Sequence, residues 1–100
     1  RIESRLREDV TTPPTLQQLA LDLNLHWAHL SREFPRHFNC TFGTFIRQVR
    51  VEKSLTLLRE ANLSLTEIAA ACGFSDQSHF IRCFREFLGL TPRDFRKLVR

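Results

Sequence analysis

Two short runs of the chain carry the same helix-start signal, and the residues after them stay in step. Thr15 and Gln18 stand three apart ahead of an apolar stripe, and Ser64 and Glu67 do the same 49 residues later. Each pair has the form of a capping box. The hydroxyl accepts from the backbone N–H three residues on, and the Gln or Glu side chain accepts from the N–H of the cap. At this spacing Leu16 meets Leu65 and Ala20 meets Ala69. After a turn that is one residue longer in the second copy the spacing becomes 50. His29 then meets His79, Arg32 meets Arg82, Phe34 meets Phe84, Asn39 meets Gly89, Thr41 meets Thr91, Phe45 meets Phe95 and Val49 meets Val99. Caps, core positions and one exposed arginine all fall in register. The chain is expected to be two copies of one helical unit, a tandem rather than a solenoid, which needs about three repeats or more.

Periodicity supplies the parts of each unit. Ile2, Leu6 and Val10 mark a first helix over residues 1–10, stopped by Pro13-Pro14. Leu16, Leu19, Ala20 and Leu23 form the predicted buried stripe of the second helix, and Asn24-Leu25-His26 the turn. A third helix over Trp27–His37 puts Leu30, Phe34, His37 and Phe38 on one face. Pro35 lies inside it, where proline removes a donor and crowds the Ser31 carbonyl at a cost of about 3 kcal/mol. A kink or early end near Phe34 is expected. Asn39 is the predicted left-handed stop.

Thr41 caps a long helix to Ala61 whose apolar pattern changes phase. Phe42, Phe45, Ile46 and Val49 form one stripe; Val51, Leu55 and Leu58 form another, displaced by about half a turn. A helix with two successive faces packs against two bodies. In the second unit Leu65, Ile68, Ala69 and Cys72 are the buried stripe and Gly73 supplies the positive φ of the turn. Ser75 is the predicted cap of a helix from Asp76 to Leu88 that buries Phe80, Phe84, Phe87 and Leu88. Gly89 ends it. Thr91 caps the last helix, Pro92 takes its first position, and Phe95 and Val99 face inward. The expectation is an all-α chain of about seven helices: a homeodomain-like helix-turn-helix subdomain over 1–41, a linker helix over 42–61, and a second such subdomain over 62–100.

Fifteen basic against eleven acidic residues give a net charge of +4, which favours a polyanionic partner. Nine phenylalanines and no tyrosine make the aromatics core mass rather than hydrogen-bonding handles. Cys40, Cys72 and Cys83 are an odd number without a CxxC, which fits a reducing compartment and a cytoplasmic location. No run approaches the roughly 20 apolar residues of a membrane span, and no signal peptide is visible. The start at Arg1 without a methionine suggests a piece of a longer protein.

In a helix-turn-helix the second helix enters the major groove of double-stranded DNA. Opposite Leu30 lie Ala28, Ser31, Arg32 and Pro35, with Trp27 at the border. Opposite Phe80 lie Ser78, Ile81, Arg82 and Arg85, with Gln77 at the border. A guanidinium at Arg32 or Arg82 can pair with both acceptors of a guanine, worth about 1–3 kcal/mol of discrimination. Gln77 suits adenine, and Ala28 or Ile81 a thymine methyl. The expected base readers are Ala28, Arg32, Gln77, Ile81 and Arg82, with Ser31 and Ser78 ambiguous from the residues alone. Trp27, Arg36, His79, Arg85, Arg93 and Lys97 are expected on the DNA backbone, where they add register and salt dependence, with plain solvated surface the equal alternative for Arg36, Arg85, Arg93 and Lys97. A lone exposed arginine is usually a solvated charge; its recurrence at matching positions favours readout.

His79 and Cys83 stand four apart, a possible metal pair, but third and fourth ligands are wanting. Cys83 is read as a small, partly buried residue and His79 as a packing or phosphate-contacting one, with no metal and no cofactor. No oxyanion loop, glycine-rich cradle or paired carboxylates point to an enzyme. The alternative is a helical interaction module docking on RNA polymerase or a partner regulator.

The run Glu67-Ile68-Ala69, Gly73-Phe74-Ser75-Asp76-Gln77-Ser78-His79-Phe80, Arg82, Phe84-Arg85, Gly89, Thr91-Pro92 and Phe95-Arg96 closely resembles the AraC/XylS-type DNA-binding domain. The first half agrees more loosely, through Leu19-Ala20, His29-Leu30-Ser31-Arg32, Phe34, Phe45-Ile46 and Arg50. The resemblance implies a bilobed all-α domain of a bacterial transcription regulator, in most members an activator, with recognition helices in successive major grooves. It implies contacts with RNA polymerase and an effector or dimerisation domain elsewhere in the full-length protein. By position, its base readers fall on Ala28, Ser31, Arg32, Gln77, Ser78, Ile81 and Arg82. His26, Pro35 and Asn39 depart from the family pattern of a serine-like cap, a basic residue and a glycine.

Overall fold

The computed structural model describes residues 2–100; Arg1, included in the first expected helix, lies outside them. The described residues form seven helices: α1 (Ile2–Glu8), α2 (Leu16–Asp22), α3 (Trp27–Phe38), α4 (Phe42–Glu60), α5 (Leu65–Ala71), α6 (Gln77–Leu88) and α7 (Pro92–Val99). The molecule is elongated, 45 × 22 × 21 Å.

The caps set most boundaries. Both capping boxes are formed, Thr15 with Gln18 and Ser64 with Glu67. Thr41 and Thr91 accept from the backbone N–H groups of Thr44 and Asp94. Asn39 and Gly89 take left-handed conformations, with φ of 63° and 78°, and end α3 and α6. One cap differs from expectation. Asp76, not Ser75, is the N-cap of α6; its carboxylate accepts from the His79 N–H at 2.7 Å, and the helix starts at Gln77. Asp76 is the last residue with extended backbone, so its side chain reaches the free N–H groups.

The expected early end of α3 is also corrected. The helix continues through Pro35 to Phe38. Proline forfeits one backbone bond, and the rings on either side hold the helix together. Phe34 stacks on Phe38 at 4.4 Å between ring centroids, and both meet Phe45, at 5.6 and 5.0 Å. Aromatic pairs of this kind contribute about 0.5–1.5 kcal/mol each beyond their burial, enough to offset much of the proline cost.

Helix α4 serves two cores. Phe45, Ile46 and Val49 join Leu6, Val10, Leu19, Ala20, Leu30 and Phe34. Val51 and Leu58, with Leu55 packed alongside, join Ile68, Ala69, Cys72, Phe74, Phe80, Cys83 and Phe84. Between the two sets Ser54 is fully buried, its hydroxyl donating to the Val51 carbonyl. Four residues placed on buried faces from sequence are exposed: Leu23, His37, Leu88 and Val99. Leu23, Leu88 and Val99 end or succeed their helices, and His37, though exposed, keeps its ring edge-on to Phe38 at 4.8 Å. Cys83, expected to be partly buried, is buried in the second core.

At the far end of α4 two arginines hold the carbonyls its last turn leaves free. Arg96 donates to the carbonyls of Leu58 (3.2 Å) and Ala61 (3.3 Å), and Arg100 donates to Ala61 and to Asn62 Oδ1. Cations there also suit the helix dipole.

Candidate nucleic-acid interface

Each unit joins two helices across a left-handed residue, Asn24 (φ 57°) between α2 and α3 and Gly73 (φ 89°) between α5 and α6. The same backbone bond closes both turns: Leu25 N–H donates to the Ala20 carbonyl at 2.8 Å, and Phe74 N–H to the Ala69 carbonyl at 2.9 Å. The helix after each turn is then started by a side chain. In the first unit His26 takes the serine-like role, its Nδ1 accepting from the Ala28 N–H at 3.2 Å.

Of the expected base readers, Arg32, Ser78 and Arg82 are exposed, while Ala28, Ser31, Gln77 and Ile81 are partly buried. The ion pairs among the described residues use Arg5, Arg7 and Arg36. Arg32, Arg82, Arg85, Arg93 and Lys97 are outside all of them. Arg36 pairs with Glu33 on its own helix at 3.3 Å but stays largely exposed, so the pair contributes little to stability and yields easily. Gln77 is already engaged: its Oε1 accepts from the Thr66 hydroxyl at 2.7 Å. Adenine pairing uses both ends of the amide, so that bond must be shared or released.

His79, Arg82 and Arg85 line one groove on α6 together with Arg47 of α4, Cys83, Glu86 and Gly89. Trp27, Arg36, Arg93 and Lys97 do not line it. Arg47 was not singled out in the sequence. It is partly buried, donates to the Thr44 hydroxyl at 3.0 Å, and also lines the neighbouring groove with His79, Pro13, Pro14 and Thr15. The sequence carries only a weak signal for it, a basic residue set among Phe45, Ile46 and Val49 but off their face.

The ring of His79 stands edge-on to Phe74 at 5.3 Å, with Nδ1 3.4 Å from the Ser75 hydroxyl. Burial raises the Cys83 thiol above its ordinary pKa, and raises that of Cys72 to about 11. Among the described residues no third His, Cys, Asp or Glu joins His79 and Cys83 in a group able to hold a metal. No helix among them is long and apolar enough to cross a membrane.

A family profile described as a helix-turn-helix domain matches residues 19–98. The HTH-type transcriptional regulator GbdR of Pseudomonas aeruginosa is 30% identical over 96 residues, which cover 96% of this chain and 26% of that protein. The chain therefore spans about a quarter of that relative's length. A probable AraC family transcriptional regulator from Rhodopseudomonas palustris has the same fold, with a TM-score of 0.88 at 24% identity over 99% of this chain and 94% of that one. So does the DNA-binding domain of AdpA, solved in complex with a target DNA, with a TM-score of 0.87 at 22% identity over 99% of this chain and 89% of that one.

Proposed function

The chain belongs to the AraC/XylS family of helix-turn-helix domains, and on that footing we propose that it reads a specific double-stranded DNA sequence for a bacterial transcription regulator. The observation that carries this reading is the repeated arginine. Arg32 on α3 and Arg82 on α6 match in the repeat, both are exposed, and neither belongs to an ion pair among the described residues. A guanidinium in that state is ready for the two acceptors of a guanine.

In this reading α3 and α6 enter successive major grooves. Ala28, Ser31 and Arg32 read one segment; Gln77, Ser78, Ile81 and Arg82 read the other. Trp27, Arg36, His79, Arg85, Arg93 and Lys97 take phosphates, and Arg47 joins them because it shares a groove with His79, Arg82 and Arg85. Residues 1–41 and 62–100 are the two reading units and 42–61 the linker. Grooves one turn apart are about 34 Å apart. A 45 Å molecule accommodates that separation, and the 19 residues of α4 span much of it at about 1.5 Å per residue.

The remainder of the full-length protein would carry the effector or dimerisation function, in the cytoplasm, where three free thiols are stable. A contact with RNA polymerase belongs to the same reading and follows from the family alone. The direct test is selection of bound sequences from a random duplex pool. We expect one asymmetric element about two helical turns long. Arg32→Ala and Arg82→Ala should each relax the preference at different base pairs. Equal weakening on every sequence would sink the readout assignment.

A further inference from the structure

The loop between α1 and α2 is unusually well tied for an exposed segment. The Asp9 carboxylate accepts from the N–H (3.0 Å) and hydroxyl (2.6 Å) of Thr11, and from the N–H (3.4 Å) and hydroxyl (2.7 Å) of Thr12. These bonds hold its carboxyl well below the usual carboxylate range. Pro13 and Pro14 stiffen the rest of the loop. The Val10 side chain is buried in the first core, and the Val10 carbonyl accepts from Arg50 Nε of α4 at 2.8 Å.

Gly73, in the turn of the second unit, sits directly on this bond. A Cβ there would collide with the Val10 carbonyl oxygen and lie 2.9 Å from Arg50 Nε and 3.0 Å from Thr11 Cα. His79, in the first turn of α6, lines one groove with Pro13, Pro14, Thr15 and Arg50. The loop that leads into one helix-turn-helix is thus the seat of the other.

The repeat provides an internal control. Arg100 stands 50 residues after Arg50, and Arg59 stands 49 after Val10. Arg100 Nε donates to the Arg59 carbonyl at 3.4 Å. An arginine-to-carbonyl bond therefore recurs in each unit, to the α1–α2 loop in the first and to the last turn of α4 in the second, whereas the seat beneath Gly73 occurs in the first copy alone. Arg50 is accordingly half-buried and Arg100 exposed.

We propose that the Val10–Arg50–Gly73 contact gauges the distance between the two readers, making Arg50 a positioning residue that sets which half-site spacing the protein accepts. This rests on the DNA reading above. One helix linking two bodies leaves them free to bend and twist about it. A second tie, off the axis of α4, removes that freedom. Inserting one base pair moves a half-site by about 3.4 Å and rotates it by about a tenth of a turn, a displacement that a rigid pair of readers rejects.

The test has two arms. In the first, wild type, Arg50→Ala, Asp9→Ala and Arg100→Ala are each put through selection from a random duplex pool, and the spacing between the two half-motifs is read. Wild type should return a single spacing, with a one-base-pair insertion lowering affinity by about tenfold. Arg50→Ala and Asp9→Ala should keep the base preferences within each half, spread over neighbouring spacings, and lower that penalty to about threefold or less. Asp9 is exposed and outside both cores, so its variant serves if Arg50→Ala folds poorly. Arg100→Ala should behave as wild type. In the second arm, backbone residual dipolar couplings of the DNA-free protein should fit one alignment tensor for both halves in wild type and two in Arg50→Ala. Unchanged spacing in both loosened variants, equal broadening by Arg100→Ala, or a shared tensor in Arg50→Ala would overturn the gauge while leaving the DNA reading intact. A pool that enriches no sequence would overturn both.

Discussion

Asn24 and Gly73 hold the same place in the two units, at φ 57° and 89°, and close the same backbone bond. Their surroundings differ. Asn24 is exposed, whereas Gly73 is pressed against the Val10 carbonyl and Arg50. Asn39 and Gly89 make a second such pair, at φ 63° and 78°, and around Gly89 a Cβ would meet nothing within 4 Å. The left-handed backbone belongs to the unit, and asparagine supplies it at modest cost. Glycine becomes obligatory only where another segment approaches.

The apolar positions differ in the same way. Cys72 and Phe74 are buried around the second turn, while their counterparts Leu23 and Leu25 are 36% and 44% exposed. The second unit is closed tightly around its turn. The first leaves that side open, with Trp27 half-exposed beside it.

The largest expected contrast is the exchange of Pro35 and Arg85, which match in the repeat. Arg85→Pro should destabilise by about 3 kcal/mol or more, since α6 would lose a backbone bond and gain a ring clash. Pro35→Arg should stabilise, by less, because the Phe34–Phe38–Phe45 cluster already holds α3 past the proline. Urea unfolding of both variants measures this. A Pro35→Arg variant no more stable than wild type would mean that α3 is not under the expected cost.

The two helix-end and turn glycines sharpen the comparison further. Gly89→Ala should cost about 1–2 kcal/mol, the left-handed penalty alone. Gly73→Ala carries the same penalty plus the collision with Val10, so its loss of urea stability should be clearly the larger. Equal losses would show that the first-unit loop yields freely.

Much of this was legible in the sequence because it depends on neighbours in the chain. Capping boxes, left-handed stops and the two apolar stripes of α4 are short-range patterns, and the structure has them where the spacing predicts. What was not legible depended on contacts far along the chain or on a choice between near-equals. Ser75 and Asp76 are both good caps, and only the backbone path decides between them. The continuation of α3 past Pro35 needs Phe45, ten residues away. The seat of Gly73 brings together residues 10, 50 and 73, a meeting that no periodicity announces. Among the candidate readers, helical phase placed Arg32 and Arg82 outward. It could not show that Gln77 is held by Thr66, because that bond crosses the turn.

Caps give a smaller contrast. Asp76→Ala should cost about 1 kcal/mol, as for other carboxylate caps. His26→Ala should cost less, since a neutral imidazole nitrogen is a weaker acceptor, and His26→Asp should stabilise the first unit. Thermal unfolding of the three variants ranks them. A His26→Ala loss as large as that of Asp76→Ala would make the imidazole an equal cap.

The smallest expected effect separates the two capping boxes by pH. Gln18 and Glu67 occupy the same position, each accepting from its cap N–H at 2.8 Å, but only Glu67 titrates. The Ser64 backbone and hydroxyl bonds hold the Glu67 carboxyl below its ordinary value of 4.5. Its folded pKa is therefore lower than its unfolded one. The stabilisation it gives is complete above the unfolded value and is lost as pH falls through the folded one. The amide resonance of Ser64 should shift with a midpoint below 4.5, whereas that of Thr15, bonded to an uncharged amide, should show no transition from its own box. Glu67→Gln should abolish the Ser64 transition and make the two units alike. A Ser64 midpoint at or above the ordinary carboxylate value would mean that the second box is open in solution, leaving the better-matched unit with the weaker start.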